Sequence, residues 1–148
     1  FGLGMVAGNI AGGKLADRFG MRAAAMLLVW SAAWMALYPI ATPALWSILI
    51  VVFMIGAGGG LGTVLQMRLM DVAGEAQTLA AALNHSAFNT ANALGPFLAG
   101  AAIAAGWGLP STGAVGCALT LGGLAVWGIA WWDGRRAPLV ADKAAQQC

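Results

Sequence analysis

Three asparagines, a serine and the sole histidine of the chain stand close together in an apolar neighbourhood, in the stretch N-H-S-A-F-N-T-A-N-A-L-G-P at residues 84–96. On an α-helix of about 3.6 residues per turn, His85, Asn89, Asn92 and Pro96 share one face within about 60°. Amides donate and accept hydrogen bonds, and an imidazole gains or loses a proton between about pH 5 and 8. These residue types suit the binding of a polar solute. For His85, coupling to proton movement and a purely structural role with a hydrogen bond are open alternatives.

The composition places this stripe in a membrane. Hydrophobic residues make up 61% of the 148 and charged residues 8%, against about 25% charged residues in soluble domains. The mean hydropathy is +0.83. A chain with so little charge cannot solvate its surface, so it is predicted to be a membrane protein in contact with the lipid bilayer. No basic patch interleaved with aromatic residues is present, which excludes a nucleic-acid partner.

Apolar runs near the ~20 residues that a helix needs to cross a bilayer predict an all-α, polytopic transmembrane helix bundle. The predicted partial bundle covers residues 1–132. It has one partial span at about 1–13 and complete spans at about 23–40, 45–65, 78–105 and 112–132. Residues 133–148 are predicted to form a tail.

The charged residues predict the orientation of the bundle. Connections 14–22 and 66–77 and the tail carry every Lys and Arg, whereas the two intervening connections carry none. Because cytoplasmic loops are enriched in Lys and Arg, both charged connections and the C-terminus are predicted to lie in the cytoplasm. Glycines four residues apart, at 4, 8 and 12, are predicted to allow close approach of helix backbones.

Unpaired amides that face lipid would cost several kcal/mol each, so the stripe must face protein or a water-filled cavity. One interpretation is structural, with Asn and His side chains joining neighbouring helices. The other is functional, with His85, Asn89 and Asn92 lining a cavity for a polar substrate. Gly95 and Pro96 predict a kink, because proline removes a backbone donor and clashes with the carbonyl four residues earlier.

The first charged connection, G-G-K-L-A-D-R-F-G-M-R at residues 12–22, predicts a tight turn between two helices. Gly13 is expected to end the first helix, and Gly20 to supply a permissive backbone position. Asp17 can pair with a helix N-terminus or a basic group. Arg18 and Arg22 are suited to hold the turn at the anionic inner face of the membrane.

This connection resembles the loop signature of the major facilitator superfamily, G-x-L-A-D-R-x-G-R-R/K, and Met21 stands where that family usually has Arg. The matching residues are Gly13, Leu15, Ala16, Asp17, Arg18, Gly20 and Arg22. The five segments could correspond to helices two to six or eight to twelve of that fold. Residues 82–95 are similar to the eleventh helix of its drug and sugar efflux branch, the arabinose-efflux-permease-like proton antiporters, which favours the second placement.

The resemblance implies the C-terminal six-helix half of a twelve-helix fold, lacking its first helix, in a bacterial inner membrane. It implies a secondary active transporter that exports sugars or drug-like molecules in exchange for protons, with the missing N-terminal half as a partner. The connection around Asp17 would be a gating loop, formed by Gly13, Asp17, Arg18, Gly20 and Arg22.

Two other functional classes are alternatives to a transporter. A stand-alone membrane scaffold or accessory subunit would use the polar stripe to bind a partner helix. An intramembrane enzyme is disfavoured, since the spans contain no HExxH, no GxSxG and no pair of carboxylates. No catalytic residue, cofactor or metal site is therefore expected.

Overall fold

The computed structural model describes the backbone of residues 1–145 and the side chains of residues 1–134. Within these residues the secondary structure is helical, without a strand. The six α-helices are α1 (Gly2–Phe19), α2 (Met21–Ala41), α3 (Leu45–Ala57), α4 (Gly60–Val72), α5 (Gln77–Ala102) and α6 (Ser111–Ala145). A 3-10 turn, Gly74–Ala76, precedes α5, and a π-helical turn, Ile103–Trp107, follows it. The all-α prediction is confirmed for this part of the chain.

Glycines bring α1 into backbone contact with α3 and α4. Gly4, Gly8 and Gly12 are buried along one face of α1. A β-carbon on Gly12 would lie 2.6 Å from the carbonyl oxygen of Gly60, and one on Gly8 would overlap the backbone of Ala57. Any side chain there would force the helices apart, so the predicted close packing at small residues is confirmed.

The helices α3 and α4 form one apolar stretch with an irregular centre. Gly58 and Gly59 separate them, and their amides donate to the carbonyls of Ile55 and Gly56, at 3.0 and 2.9 Å. This spacing of three residues is that of a 3-10 helix, which glycines accommodate because they favour the α-helix only weakly. The predicted span 45–65 therefore consists of two successive helices.

The helix α2 lies between α6 and the α3–α4 pair and supplies most of the core. Ala23, Ala24 and Leu27 of α2 pack with Val64 of α4 in one buried cluster. Trp127 of α6 packs against this cluster, and its indole N–H donates to the carbonyl of the first residue of α2, at 2.9 Å. These contacts fix α6 against α2 at the end of the bundle where α2 begins.

Helix α5 is less buried along its middle than near its ends. It contacts α4 and α6. Its buried residues are Ala80 and Asn84 near its start and Ala102 at its end. The segment between them, which includes Asn89, Asn92 and Pro96, is mostly exposed. The helix is thus held near its two ends and free along the face that carries the polar stripe.

The expected helix end at Gly13 is wrong. Helix α1 continues through Gly13 to Phe19, so that Asp17 and Arg18 lie in its final turn and Arg22 lies in the first turn of α2. Helical hydrogen bonds do not require apolar side chains, and K-L-A-D-R is composed mainly of good helix formers.

The turn between α1 and α2 is made by a single residue. Gly20 has φ 53° and ψ −132°, a backbone conformation that residues with a β-carbon rarely adopt. The prediction of a permissive glycine at this position is confirmed. Its role in gating stays a prediction.

Three helical segments are long and apolar enough to cross a membrane within the described residues. They are Met21–Ala41, Leu45–Val72 and Ser111–Gly134. Helix α5 has 26 residues and is long enough to cross a membrane, but it is not one of these three segments. Its asparagines make it less apolar. The five predicted spans and the cytoplasmic tail remain predictions, and residues 146–148 of that tail lie outside the described part of the chain.

Candidate functional site

A groove of 520 Å³ lies between α1, α4 and α5, and we call it the polar groove. Most of its lining residues have polar side chains. It is lined by Asn9, Gly62, Thr63, Gln66, Met67, Asn84, His85, Phe88, Asn89 and Asn92.

The wall formed by α5 contains the residues that the sequence singles out. His85, Asn89 and Asn92 all line the groove, as their shared helical face predicts, and all three are exposed. Gly95 and Pro96 do not line the groove. Helix α5 continues through both residues, and a kink at them stays a prediction. The structure therefore brings all three predicted cavity residues together, and their binding role remains a prediction.

The opposite wall contains residues that the sequence reasoning missed. Asn9 of α1 and Thr63 of α4 are joined by a hydrogen bond in which the Thr63 hydroxyl donates to Asn9 Oδ1, at 3.2 Å. Gln66 lies one helical turn after Thr63 and also lines the groove. A lone amide at Asn9 within a Gly- and Ala-rich run, and two polar residues three apart, were the available signals. Neither pattern shows which helix these side chains face, because that depends on tertiary contacts.

The two walls meet where Asn84 contacts Gln66. The Asn84 side-chain amide donates to Gln66 Oε1, which joins α5 to α4. Asn84 is 9% exposed, and it is the buried polar residue of the described core. The hydrogen bond satisfies an amide that would otherwise be costly to bury.

Apart from His85, the polar groups that line the groove are amides and a hydroxyl. None of its lining residues is an acid, a lysine or an arginine. Amides and hydroxyls of this kind can hydrogen-bond hydroxyl, amide or ether groups of a solute, while Phe88 and Met67 offer apolar contact. In the described residues, no group of three or more His, Cys, Asp or Glu side chains is arranged to hold a metal ion.

A second cavity, of 340 Å³, lies at the end of the bundle where α1 turns into α2. It brings Asp17 and Gly20 together with Arg68 and Asp71, from the last turns of α4. The first two charged connections therefore meet at the same end of the bundle. This arrangement is the one required if both lie on the same side of a membrane.

The other residues of the predicted gating loop do not line this cavity. Gly13 is half-buried within α1, and Arg22 is exposed at the start of α2. Arg18 is exposed as well, and its guanidinium lies 5.6 Å from the centre of the Phe19 ring. Of the five gating residues, only Asp17 and Gly20 reach the cavity.

A bundle of apolar helices with a polar groove in its side defines a helical membrane protein. The chain is similar to inner membrane transport protein YdhP of Escherichia coli strain K12, with 37% identity over 124 residues that cover 81% of this chain and 32% of the relative. The protein of the same name from Escherichia coli O157:H7 is 36% identical over 150 aligned residues, with the same coverage. The chain thus spans about a third of the length of the curated relatives it matches.

No model of a known protein family matches the chain. No solved structure matches it significantly.

Proposed function

We propose that this chain forms part of a secondary active transporter of the major facilitator type, in which the polar groove is one wall of the substrate path. The chain would supply most of the C-terminal bundle, and a preceding bundle of the same protein would supply the opposite wall. Transport would proceed by alternating access, with the two bundles rocking around a central site. The cargo would be a sugar or a drug-like molecule, exported in exchange for protons.

The observation that carries this proposal is the polar groove itself. Seven of its ten lining residues carry polar side chains, and these seven come from three helices. Several exposed amides in a chain of this hydropathy need water, protein or a solute as partners, because hydrocarbon offers none. A central path that is filled alternately with water and substrate meets this need.

The similarity to proteins named inner membrane transport proteins supports the same conclusion. It also supports a location in a bacterial inner membrane. With the charged connections in the cytoplasm, the C-terminus would be cytoplasmic as well. The cavity that contains Asp17 would then lie at the inner face, where the charged turn could act as a latch between inward-open and outward-open states.

The test replaces Asn89 and Asn92 by Leu together in the natural protein that contains this chain. Inverted membrane vesicles would be energised with a proton gradient and supplied with L-arabinose or with ethidium as two chemically distinct probes. We expect the double variant to lose accumulation of the transported probe while its amount in the membrane stays unchanged, since Leu cannot hydrogen-bond a solute.

Thr90→Leu is the matched control. Thr90 lies on the same helix and is also polar and exposed, but it does not line the groove, and its hydroxyl donates within α5 to the carbonyl of Ser86 at 2.9 Å. Thr90→Leu should therefore accumulate the probe at the original rate. Full transport by the Asn89→Leu, Asn92→Leu variant would refute the role of the groove.

The alternative is a stand-alone scaffold or accessory subunit. The intact mass of the endogenous polypeptide distinguishes it from the transporter, and an antibody to the tail A-D-K-A-A-Q-Q-C would detect that polypeptide. A mass well above twice the 15.0 kDa of this chain would support the transporter. A mass equal to that of the chain would contradict alternating access within one polypeptide and favour the accessory subunit.

A further inference from the structure

Helix α5 is buried against the rest of the bundle near its two ends. Its buried residues lie near its ends, Ala80 and Asn84 at one and Ala102 at the other. Between them the helix carries His85, Asn89 and other exposed residues. The position of the polar face therefore depends on how each end is held.

The attachment near the start of α5 combines apolar and polar contacts. Ala80 and Phe88 can hold the helix only by non-directional packing, with the Phe88 ring 3.0 Å from where a β-carbon on Gly62 would lie. The directional contact is the hydrogen bond from the Asn84 amide to Gln66 Oε1. It joins the first third of α5 to α4 and restrains the rotation of α5 about its own axis.

We propose that Gln66 and Asn84 form a positioning pair, which orients the polar face of α5 toward the groove and thereby sets the affinity of the substrate site. The proposal rests on the proposed function only in its second part, the effect on affinity. Asn89 lies five residues after Asn84, about 7.5 Å further along the helix axis. A rotation of α5 at Asn84 is therefore transmitted directly to Asn89, because the helix between them is unbroken.

The geometry also explains why an amide pair is used at this position. Asn84 is buried, and a buried amide requires a hydrogen-bond partner. The rotation of α5 that keeps Asn84 bonded to Gln66 is therefore strongly preferred over other rotations about the helix axis. An apolar pair such as Leu with Leu would lack the directional requirement of a hydrogen bond. The hydrogen bond selects one of them.

The experiment uses three variants of the natural protein: Gln66→Leu, Asn84→Leu, and the exchange Gln66→Asn with Asn84→Gln. The exchange conserves both amides and the combined length of the two side chains. Thr90→Leu serves as the control for a polar-to-apolar change on α5 outside the groove. Two measurements are made on each: hydrogen–deuterium exchange of the segment 77–92, and KM and maximal rate of the transported probe.

We expect each Leu variant to exchange faster in segment 77–92, by about three- to tenfold, the effect of losing one interhelical hydrogen bond. The segment 93–102 should exchange at its original rate. KM should rise by a similar factor, because the polar face of α5 is displaced and one of the amides that line the groove is lost. The exchanged pair should restore both values, and Thr90→Leu should change neither.

Unchanged exchange in both Leu variants would overturn the positioning pair. Faster exchange with an unaltered KM would overturn its link to the substrate site, as would loss of maximal rate alone without rescue by the exchanged pair. If the unmodified protein transported neither probe, the proposed function would fail, and the exchange data would still decide whether Gln66 and Asn84 hold α5 in place.

Discussion

Replacement of Gly8 by alanine tests one of the close backbone contacts of the bundle. A β-carbon on Gly8 would lie 2.7 Å from the carbonyl carbon and 2.8 Å from the α-carbon of Ala57. Carbon atoms that are not bonded pack at about 3.5–4.0 Å. Since the obstacle is backbone and not a flexible side chain, α1 has to retreat from the α3–α4 pair by on the order of 1 Å.

The expected cost of this retreat is about 1–3 kcal/mol, the range measured when extra carbon atoms are forced into packed interiors. The same substitution gains about 1 kcal/mol of helix propensity, which masks part of the cost. Gly13→Ala corrects for the gain, because Gly13 lies in the same helix and a β-carbon there would meet nothing within 4 Å. The difference between the two variants isolates the steric term.

The free energies of unfolding can be compared by denaturant titration in mixed detergent micelles, followed by tryptophan fluorescence. We expect Gly8→Ala to be less stable than Gly13→Ala by about 1–3 kcal/mol. Gly60→Ala should behave like Gly8→Ala, because its β-carbon would meet the carbonyl group of Gly8 from the other side. Equal stabilities of Gly8→Ala and Gly13→Ala would show that the helix backbones are not in contact.

Three further outcomes are expected. Gly20→Ala should lower the thermal unfolding temperature, since its φ of 53° with ψ −132° costs a residue with a β-carbon about 1–3 kcal/mol; an unchanged temperature would contradict this turn geometry. Trp127→Phe should lower the free energy of unfolding by about 1 kcal/mol in the same denaturant titration, since it removes the 2.9 Å hydrogen bond to the carbonyl of Met21, and no change would mean that this bond contributes nothing. Asp17→Ala should slow transport without reducing the amount of protein in the membrane, and unaltered kinetics would exclude a latch role for the cavity that it lines.

Much of the helical architecture was predictable from the sequence, because long apolar runs leave few alternatives to membrane-crossing helices. The helix boundaries were less predictable. The end expected at Gly13 was wrong, and the break between α3 and α4 at Gly58 was missed. The length of an apolar run reflects the thickness of the hydrocarbon layer, whereas a helix ends where its backbone hydrogen bonds end. The end of the apolar run and the end of the helix need not coincide.

The candidate site was predictable on one side only. The face shared by His85, Asn89 and Asn92 follows from helical periodicity, which is a local property of the sequence. Asn9 has no such periodic partner, Thr63 and Gln66 form only one pair at helical spacing, and 75 residues lie between Asn9 and His85 in the chain. Only the packing of α1 and α5 on α4 places them in one groove.

Composition and periodicity alone establish that this chain is apolar, helical and built around one polar helix face, since neither depends on a partner segment. The packing of the helices establishes which of them share backbone contacts, which amides satisfy each other, and where the groove lies. These depend on crossing geometry between distant segments. At Gly8 and Ala57, as at Gln66 and Asn84, the contact exists because two helices arrive at the same place, and neither local sequence specifies its partner.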